Sequence, residues 1–194
     1  GFPENVLAFD FNLACSGYIY GLAIARGLIE SGQLNNILLV NADTYSKYIN
    51  KKDRSARALF GDGAAVSWIT HSNSEAGIVD SQCATFGKGY DKFIIPAGGL
   101  RKPKSNETGI PVTDSSNNLR TQENIYMDGM AVWTFINSKV PKQIKQLLSR
   151  NNLGISEIDM FIFHQASKMT LDSLVQRLKI PNKKVFSNLS GIGN

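Results

Sequence analysis

Three short stretches of the sequence carry side chains that could act as a nucleophile, a base and an oxyanion donor. Cys15 lies in "FNLACSG", His164 in "FHQAS" and Asn194 in "SGIGN". A thiolate can take up an acyl group as a thioester, and an imidazole or an amide can donate a hydrogen bond to the oxyanion that forms. Each residue taken alone also has a simpler interpretation, so the elements that position them must be considered.

Cys15 stands between two predicted elements. The apolar run Val6–Leu13 before it has the length of a buried strand, and Ser16–Glu30 after it repeats apolar residues at helical spacing. A cysteine at such a strand-to-helix turn lies where the helix dipole and the unpaired N–H groups favour the thiolate. The alternative is a small buried hydrophobe in a packed turn.

His164 follows the apolar segment Met160–Phe163 and precedes the predicted helix Lys168–Leu178. In α/β sheets, binding sites collect beyond the carboxyl ends of the strands. A histidine satisfied within the core remains the alternative. Asn194, taken alone, is typical of a turn, and His71, in the polar run "THSNSE", is typical of a solvated surface.

The chain as a whole alternates predicted strands with predicted helices, which favours an α/β fold. The strands are Val6–Leu13, Ile37–Ala42, Ala64–Ile69, Met160–Phe163 and Lys184–Phe186, and the helices are Ser16–Glu30, a long segment within Met127–Leu148, and Lys168–Leu178. Pro141 lies inside the long helix and predicts a kink or a break there. Between 81 and 124 the periodicity fades, which predicts a long excursion that is functional or partly disordered.

Composition limits the possible functions. The 194 residues are 42% hydrophobic, which is ample for a core, and no stretch has the length of a membrane span. No secretory signal is recognisable at Gly1, and two cysteines do not make a disulfide framework, so we expect a cytoplasmic protein. The net charge of +5 only weakly indicates an anionic partner, and no motif predicts binding of nucleic acid or of a metal.

Four stretches together resemble one family. "DFNLACSG", "DRSARALFGDGAA", "FHQAS" and "SGIGN" occur in the order and spacing of the β-ketoacyl-ACP synthase III family, and the resemblance runs from about Phe2 to Asn194. It implies a thiolase-like layered αβαβα fold, here lacking the N-terminal part and the C-terminal end. It also implies three parts: 1–80 as the remainder of the N-terminal half, 81–124 as the excursion, and 125–194 as part of the C-terminal half.

The resemblance also implies roles for individual residues. Cys15 matches the acylated nucleophile, while His164 and Asn194 match the other two catalytic residues. The positions that match substrate or coenzyme A contacts are Arg54, Phe60, Met127, Trp133, Ala166 and Ser167. Ser167 stands where many members have asparagine, and the excursion is longer than in the primer-selective bacterial enzymes.

The implied activity is acyl transfer in fatty acid or related lipid biosynthesis. An acyl-CoA would prime Cys15, and decarboxylative Claisen condensation with malonyl-acyl carrier protein (malonyl-ACP) would give a 3-oxoacyl-ACP. Coenzyme A and carrier-protein thioesters are then the substrates, without a further cofactor, and the expected assembly is a homodimer that binds neither nucleic acid nor membrane.

Alternatives to this activity remain open at this point. A condensing enzyme of secondary metabolism could use another donor or acceptor, and chalcone synthases share the Cys-His-Asn set. A non-catalytic assembly subunit of the same fold and an acyl hydrolase are further possibilities. Basic residues after His164 and along the long helix are either a solvated face or a docking face for the acidic carrier protein. They are Lys168, Arg177, Lys179, Lys183 and Lys184, with Lys139, Lys142 and Lys145 on the helix.

Overall fold

The computed structural model describes residue 1 and residues 3–194; Phe2, where the resemblance begins, lies outside the described residues. The helices in the described residues are α1 (Gly17–Glu30), α2 (Arg54–Arg57), α3 (Gly129–Arg150), α4 (Lys168–Leu178) and α5 (Leu189–Ile192). The strands are β1 (Asn36–Thr44), β2 (Asp62–Thr70), β3 (Phe93–Ile94), β4 (Val112–Thr113), β5 (Leu119–Arg120), β6 (Tyr126–Met127), β7 (Phe161–Ile162) and β8 (Val185–Phe186). The predicted mixture of helices and strands is therefore present.

The chain forms two compact units. The first contains 1–41 and 64–83, and the second contains 42–63 and 84–194. The division into 1–80, 81–124 and 125–194 that the resemblance implies stays a prediction.

In the first unit, α1 packs closely against β1. A Cβ atom at Gly21 would lie 2.6 Å from Leu39 Cδ1 and 3.2 Å from Phe11 Cζ. Both distances are shorter than ordinary van der Waals contact, so a glycine allows this close approach of helix and strand. The predictions of α1, β1 and β2 are confirmed, α1 to within one residue of its predicted start.

The predicted strand Val6–Leu13 is wrong. The segment has no strand pairing in the described residues, and the side chains of Val6, Leu7 and Phe9 are half or more exposed. A strand needs a neighbour that satisfies its N–H and C=O groups. An apolar run therefore does not become a strand where no described strand lies beside it.

In the second unit, a hydrophobic cluster joins β7, α4 and β8. Phe161, Leu178 and Ile180 are buried at its centre, and six partly buried side chains pack against it: Ile144, Ile155, Ile158, Phe163, Val175 and Val185. β7 and β8 are parallel, with Phe161 opposite Val185. The prediction of α4 is confirmed over its whole length, whereas β7 and β8 are each shorter than predicted.

Helix α3 runs through Pro141 without a break. The sequence predicts either a kink or a break at Pro141. The prediction of a break is wrong. Asn137, one turn earlier, is buried; its amide donates to the carbonyl of Trp133 at 3.0 Å, and its Oδ1 accepts from Ser173 Oγ on α4 at 2.5 Å. This side chain therefore links α3 to α4 next to the proline.

The excursion between 81 and 124 holds defined structure. Strands β4 and β5 pair antiparallel, with Val112 opposite Arg120. Thr108 and Asn118 are buried polar residues, and Thr108 Oγ1 donates to Glu123 Oε1 at 2.8 Å. Polar contacts rather than an apolar core therefore organise this segment, which is why hydrophobic periodicity did not reveal it.

Helix α4 ends at Lys179, which has a left-handed backbone conformation (φ 56°, ψ 40°). The N–H of the next residue, Ile180, donates to the carbonyl of Val175 at 3.0 Å. This bond satisfies a carbonyl at the helix end, and the reversal carries Ile180 back into the hydrophobic cluster.

Candidate active site

Cys15 lies in a turn that leads directly into α1. The N–H of Gly17 donates to the carbonyl of Ala14 at 2.8 Å, which closes the turn around the cysteine. Cys15 is exposed, so it is not the small buried hydrophobe of the alternative interpretation. Cys83 is exposed as well, and neither thiol is part of a disulfide in the described residues.

His164 lies two residues beyond β7, at the carboxyl end of that strand, as the sequence predicted. The carbonyl of His164 accepts a hydrogen bond from the N–H of Ala166 at 2.9 Å, so the backbone turns tightly here. His164 is exposed, yet the protein atoms that surround part of the imidazole displace water and lower its pKa below the usual 6.5. The imidazole is therefore neutral at neutral pH.

Gln165 holds the His164 turn to the segment after β8. Its amide nitrogen donates to the carbonyl of Phe163 at 2.9 Å. Its amide oxygen accepts from Ser187 Oγ at 3.1 Å and from the N–H of Asn188 at 3.3 Å. Gln165 is part of the motif "FHQAS", but the sequence assigns it no role. Its contacts identify it as a residue that positions the turn.

Asn194 joins two of the stretches that the sequence picked out. Its backbone oxygen accepts from the N–H of Gly61 at 2.8 Å, and its side-chain amide donates to the carbonyl of Ala166 at 3.4 Å. The structure thus brings Asn194 beside the His164 turn and beside the loop after Phe60.

A cluster of aromatic side chains lies next to the contact between Gly61 and Asn194. The ring of Phe60 is stacked on Phe93, with centroids 5.6 Å apart, and lies 5.5 Å from the ring of Tyr45. Phe93 on β3 pairs with Met127 on β6. Phe60 and Met127, both predicted to contact substrate, are therefore connected through Phe93. Sequence reasoning missed Phe93 and Tyr45, and the short apolar run "FII" was the only signal for Phe93.

Arg54, Trp133 and Ser167 lie on three different helices. Arg54 is the first residue of α2 and is exposed. Trp133 is on α3, and its indole N–H is buried with no hydrogen-bond partner in the described residues. The hydroxyl of Ser167 caps α4, because it accepts from the N–H of Thr170 at 3.2 Å. The substrate contacts expected of these side chains stay predictions.

The expected basic face is only partly available to a partner. The amine of Lys184 donates to the carbonyls of Ser156 and Ile158, at 2.8 and 2.7 Å. Lys168 pairs with Asp172 at 2.5 Å, and Lys139 lies 5.1 Å from the centroid of the Phe86 ring. The exposed members are Lys142, Lys145, Lys168, Arg177, Lys179 and Lys183, of which Lys168 is paired with Asp172.

Two further features concern cofactors and membranes. Across residue 1 and residues 3–194, no three His, Cys, Asp or Glu side chains are grouped in a way that could hold a metal ion. In the same residues, no helix combines the length and the apolar character needed to span a membrane.

Comparison with known proteins agrees with this geometry. Residues 9–87 match the family profile described as 3-oxoacyl-[acyl-carrier-protein (ACP)] synthase III, and residues 148–194 match that of its C-terminal part. The β-ketoacyl-[acyl-carrier-protein] synthase III of Caldanaerobacter subterraneus subsp. tengcongensis is 40% identical over 190 residues, which are 98% of this chain and 55% of that protein. The chain spans about half the length of the curated relatives it matches.

Solved structures give the same result. A 2.1 Å crystal structure of a 3-oxoacyl-(acyl-carrier-protein) synthase III superposes with a TM-score of 0.96 at 39% identity, covering 99% of this chain and 57% of the other. The 3-oxoacyl-(acyl-carrier protein) synthase of Burkholderia xenovorans LB400 gives 0.83 at 32% identity, covering 99% and 53%. The chain therefore belongs to the β-ketoacyl-ACP synthase III family, and its fold is the thiolase-like α/β fold.

Proposed function

We propose that this chain carries the nucleophile and the decarboxylation residues of an acyltransferase that condenses an acyl-CoA primer with malonyl-ACP. The observation that supports the proposal is the hydrogen bond from the Asn194 side chain to the carbonyl of Ala166, two residues after His164. This bond joins the loop that carries an imidazole with a lowered pKa to the loop that carries a carboxamide. Two neutral N–H donors suit a developing enolate oxygen, because neither needs to transfer a proton. Membership of the family supports the same activity.

The reaction has two stages. The Cys15 thiolate attacks the acyl-CoA carbonyl, the carbon–sulfur bond to coenzyme A breaks, and the coenzyme leaves as its thiolate, which takes a proton from water. Malonyl-ACP then loses CO₂, and the electron pair of the broken carbon–carbon bond becomes an enolate whose oxygen accepts from His164 and Asn194. The enolate carbon attacks the acyl-Cys15 carbonyl, which releases the thiolate and the 3-oxoacyl-ACP.

We further propose that the full-length protein acts as a homodimer in the cytoplasm, in fatty acid or related lipid synthesis, with thioesters as substrates and no added cofactor. The resemblance supports the homodimer, and the presence of only two cysteines suits a reducing compartment. Sedimentation of the full-length protein at several concentrations tests the assembly, since a monomer throughout would contradict it.

The first experiment is to incubate the full-length protein with a panel of short and branched acyl-CoAs and to weigh the intact protein. We expect one acyl adduct, located on Cys15 by peptide mapping, and its disappearance when malonyl-ACP is added. Cys15→Ala abolishes the adduct. Cys83→Ala, which removes the other exposed thiol, keeps it.

Absence of any adduct across the panel would contradict the proposed donor. An adduct that malonyl-ACP fails to discharge would contradict the proposed acceptor and would favour a condensing enzyme of secondary metabolism that uses another acceptor.

A further inference from the structure

A buried carboxylate lies immediately before the predicted coenzyme A contact. Asp53 is 1% exposed, and its Oδ1 accepts from the N–H groups of Ser55 and Ala56, at 3.0 and 3.4 Å, and from Ser55 Oγ at 2.5 Å. These bonds cap α2, whose first residue is Arg54. The other oxygen, Oδ2, lies 2.9 Å from Arg120 Nε.

Arg120 comes from the excursion and is itself enclosed. Its side chain is 12% exposed, and its Nη2 donates to Asp114 Oδ2 at 2.5 Å. The guanidinium also lies over the ring of Tyr126, 5.3 Å from the centroid. Three neighbours on different segments thus fix this side chain, and one of them directly precedes Met127.

The β4–β5 segment, residues 112–120, also contacts the backbone of Arg54. Asn118, 7% exposed, accepts from the Arg54 N–H at 3.2 Å through its Oδ1. The excursion therefore contacts 52–54 through the Asp53–Arg120 ion pair, the Arg54–Asn118 hydrogen bond and a bond from the N–H of Leu119 to the carbonyl of Lys52 at 3.5 Å. The Arg54 side chain is exposed.

A buried carboxylate needs a cation near it, since an unpaired charge away from water is strongly unfavourable. Arg120 meets that need for Asp53. If it were absent, the adjacent Arg54 would be the nearest guanidinium in sequence and would be drawn inward to the carboxylate. An arginine held by Asp53 could no longer reach an anionic ligand.

We propose that Arg120 is a positioning residue for substrate binding: by neutralising Asp53, it leaves the Arg54 guanidinium available to the phosphate groups of an acyl-CoA. This inference rests on the proposed function of the chain and adds to it the role of the excursion. The excursion thereby acts on donor binding.

The test measures the initial rate of Cys15 thioester formation against acyl-CoA concentration, with the full-length protein and intact-mass detection. For Arg120→Met we expect the half-saturating concentration to rise about tenfold while the maximal rate changes less than about twofold, as for the loss of a binding contact. For Arg120→Lys we expect a half-saturating concentration between those of the wild-type protein and of Arg120→Met. The matched control is Arg101→Met, an exposed arginine of the same excursion, which leaves both values unchanged.

Two double variants separate positioning from a merely structural role. In an Arg54→Ala background, Arg120→Met produces no further rise in the half-saturating concentration, because both changes act through one side chain. Asp53→Asn combined with Arg120→Met returns the value close to that of wild type, since the neutral amide still accepts from the cap N–H groups and no longer attracts Arg54.

The outcomes are distinguishable. A wild-type protein that is acylated normally, with Arg120→Met unchanged or additive to Arg54→Ala, overturns this inference and leaves the proposed function intact. Failure of the double variant Asp53→Asn, Arg120→Met to recover also overturns it. A wild-type protein that acyl-CoA never acylates overturns both. Thermal melting of every variant shows whether it is folded, and the rescued double variant supplies the test if Arg120→Met alone is not.

Discussion

Cys15 and His164 each precede a helix by a short turn, but the two helices begin differently. At α1, Ser16 has a helical backbone (φ −83°, ψ −8°) and its side chain makes no capping hydrogen bond within the described residues. At α4, Ser167 is extended (φ −167°, ψ 157°), and its hydroxyl accepts from the N–H of Thr170. The first turn of α1 therefore has no cap from Ser16, whereas the first turn of α4 is capped by Ser167.

This difference matches the charge that each reactive group needs. The dipole of α1, whose first turn has no side-chain cap in the described residues, favours an anion, which is the reactive form of the Cys15 thiol. His164 needs to be neutral, and desolvation lowers the pKa of its imidazole. The start of α1 thus favours the charged form of Cys15, whereas the surroundings of His164 favour the neutral form of its imidazole.

The largest effect should follow from removing the hydrogen-bond donors of His164 and Asn194. His164→Ala and Asn194→Ala should each reduce malonyl-ACP decarboxylation about 10²–10³-fold, the loss typical of one oxyanion donor. Formation of acyl-Cys15 should persist, because the thiol lies at the other helix start. Separate assays of decarboxylation and of intact mass measure the two steps.

His71→Ala is the matched control for these variants. This histidine is exposed, and its hydrogen bonds to Asn35 and Thr70 use the backbone N–H and the backbone carbonyl, so both steps should be unchanged. A variant of His164 or Asn194 that decarboxylates malonyl-ACP yet cannot be acylated would reverse the assignment of roles.

The next effect concerns pH. Because burial lowers the pKa of His164, the decarboxylation rate should decline as pH falls and the imidazole is protonated, with a midpoint below pH 6.5. The unfolded chain takes up this proton at higher pH than the folded one, so the stability contributed by His164 is present above pH 6.5. It is lost as pH falls through 6.5 toward the lower pKa of the folded state.

A pH profile of decarboxylation, with Cys15 acylation followed separately over the same range, tests this. A decarboxylation midpoint at or above 6.5 would show that the imidazole is not desolvated in solution.

A smaller effect concerns the thiols. Cys15 should react with iodoacetamide faster than Cys83 near neutral pH, because the start of α1 favours the thiolate, which is the reactive form. Both thiols are exposed, so accessibility does not account for such a difference. Peptide mapping after timed alkylation gives the two rates, and equal rates would mean that α1 has no influence on its cysteine.

The smallest effect is on stability. Ser167→Ala should lower the free energy of unfolding of the full-length protein by about 1 kcal/mol, the usual value of an N-cap side chain. Ser16→Ala should change it by much less, because Ser16 has no side-chain capping bond in the described part of the chain. Chemical denaturation of the two variants side by side measures the difference, and equal losses would remove the contrast between the helices.

The sequence predicted the fold wherever an element makes its own periodic pattern. Helices α1 and α4 were predicted nearly to the residue, since their apolar positions recur at helical spacing. The same reasoning failed for Val6–Leu13, because an apolar run shows only that a strand is possible and not that a partner lies beside it. It also missed β4 and β5, whose order comes from polar side chains such as Asn118 and Arg120.

The candidate site was predicted through motifs rather than through contacts. "FHQAS" and "SGIGN" indicated His164 and Asn194, and the structure places their loops together. Phe93 and Gln165 could not be found this way, because each acts through a neighbour distant in sequence: Phe60 for Phe93, and Ser187 and Asn188 for Gln165. Spacing along a chain carries no information about such pairs.

The left-handed residue at the end of α4 has a practical consequence for heat tolerance. A side chain with a Cβ atom is strained at the φ of Lys179, and glycine is not. Relief of about 1 kcal/mol corresponds to a rise of about 2–4 °C in the melting temperature of a domain of about 150–250 residues. Position 179 is therefore the place to begin if a preparation must survive warming, since Lys179 is exposed and no catalytic role is assigned to it.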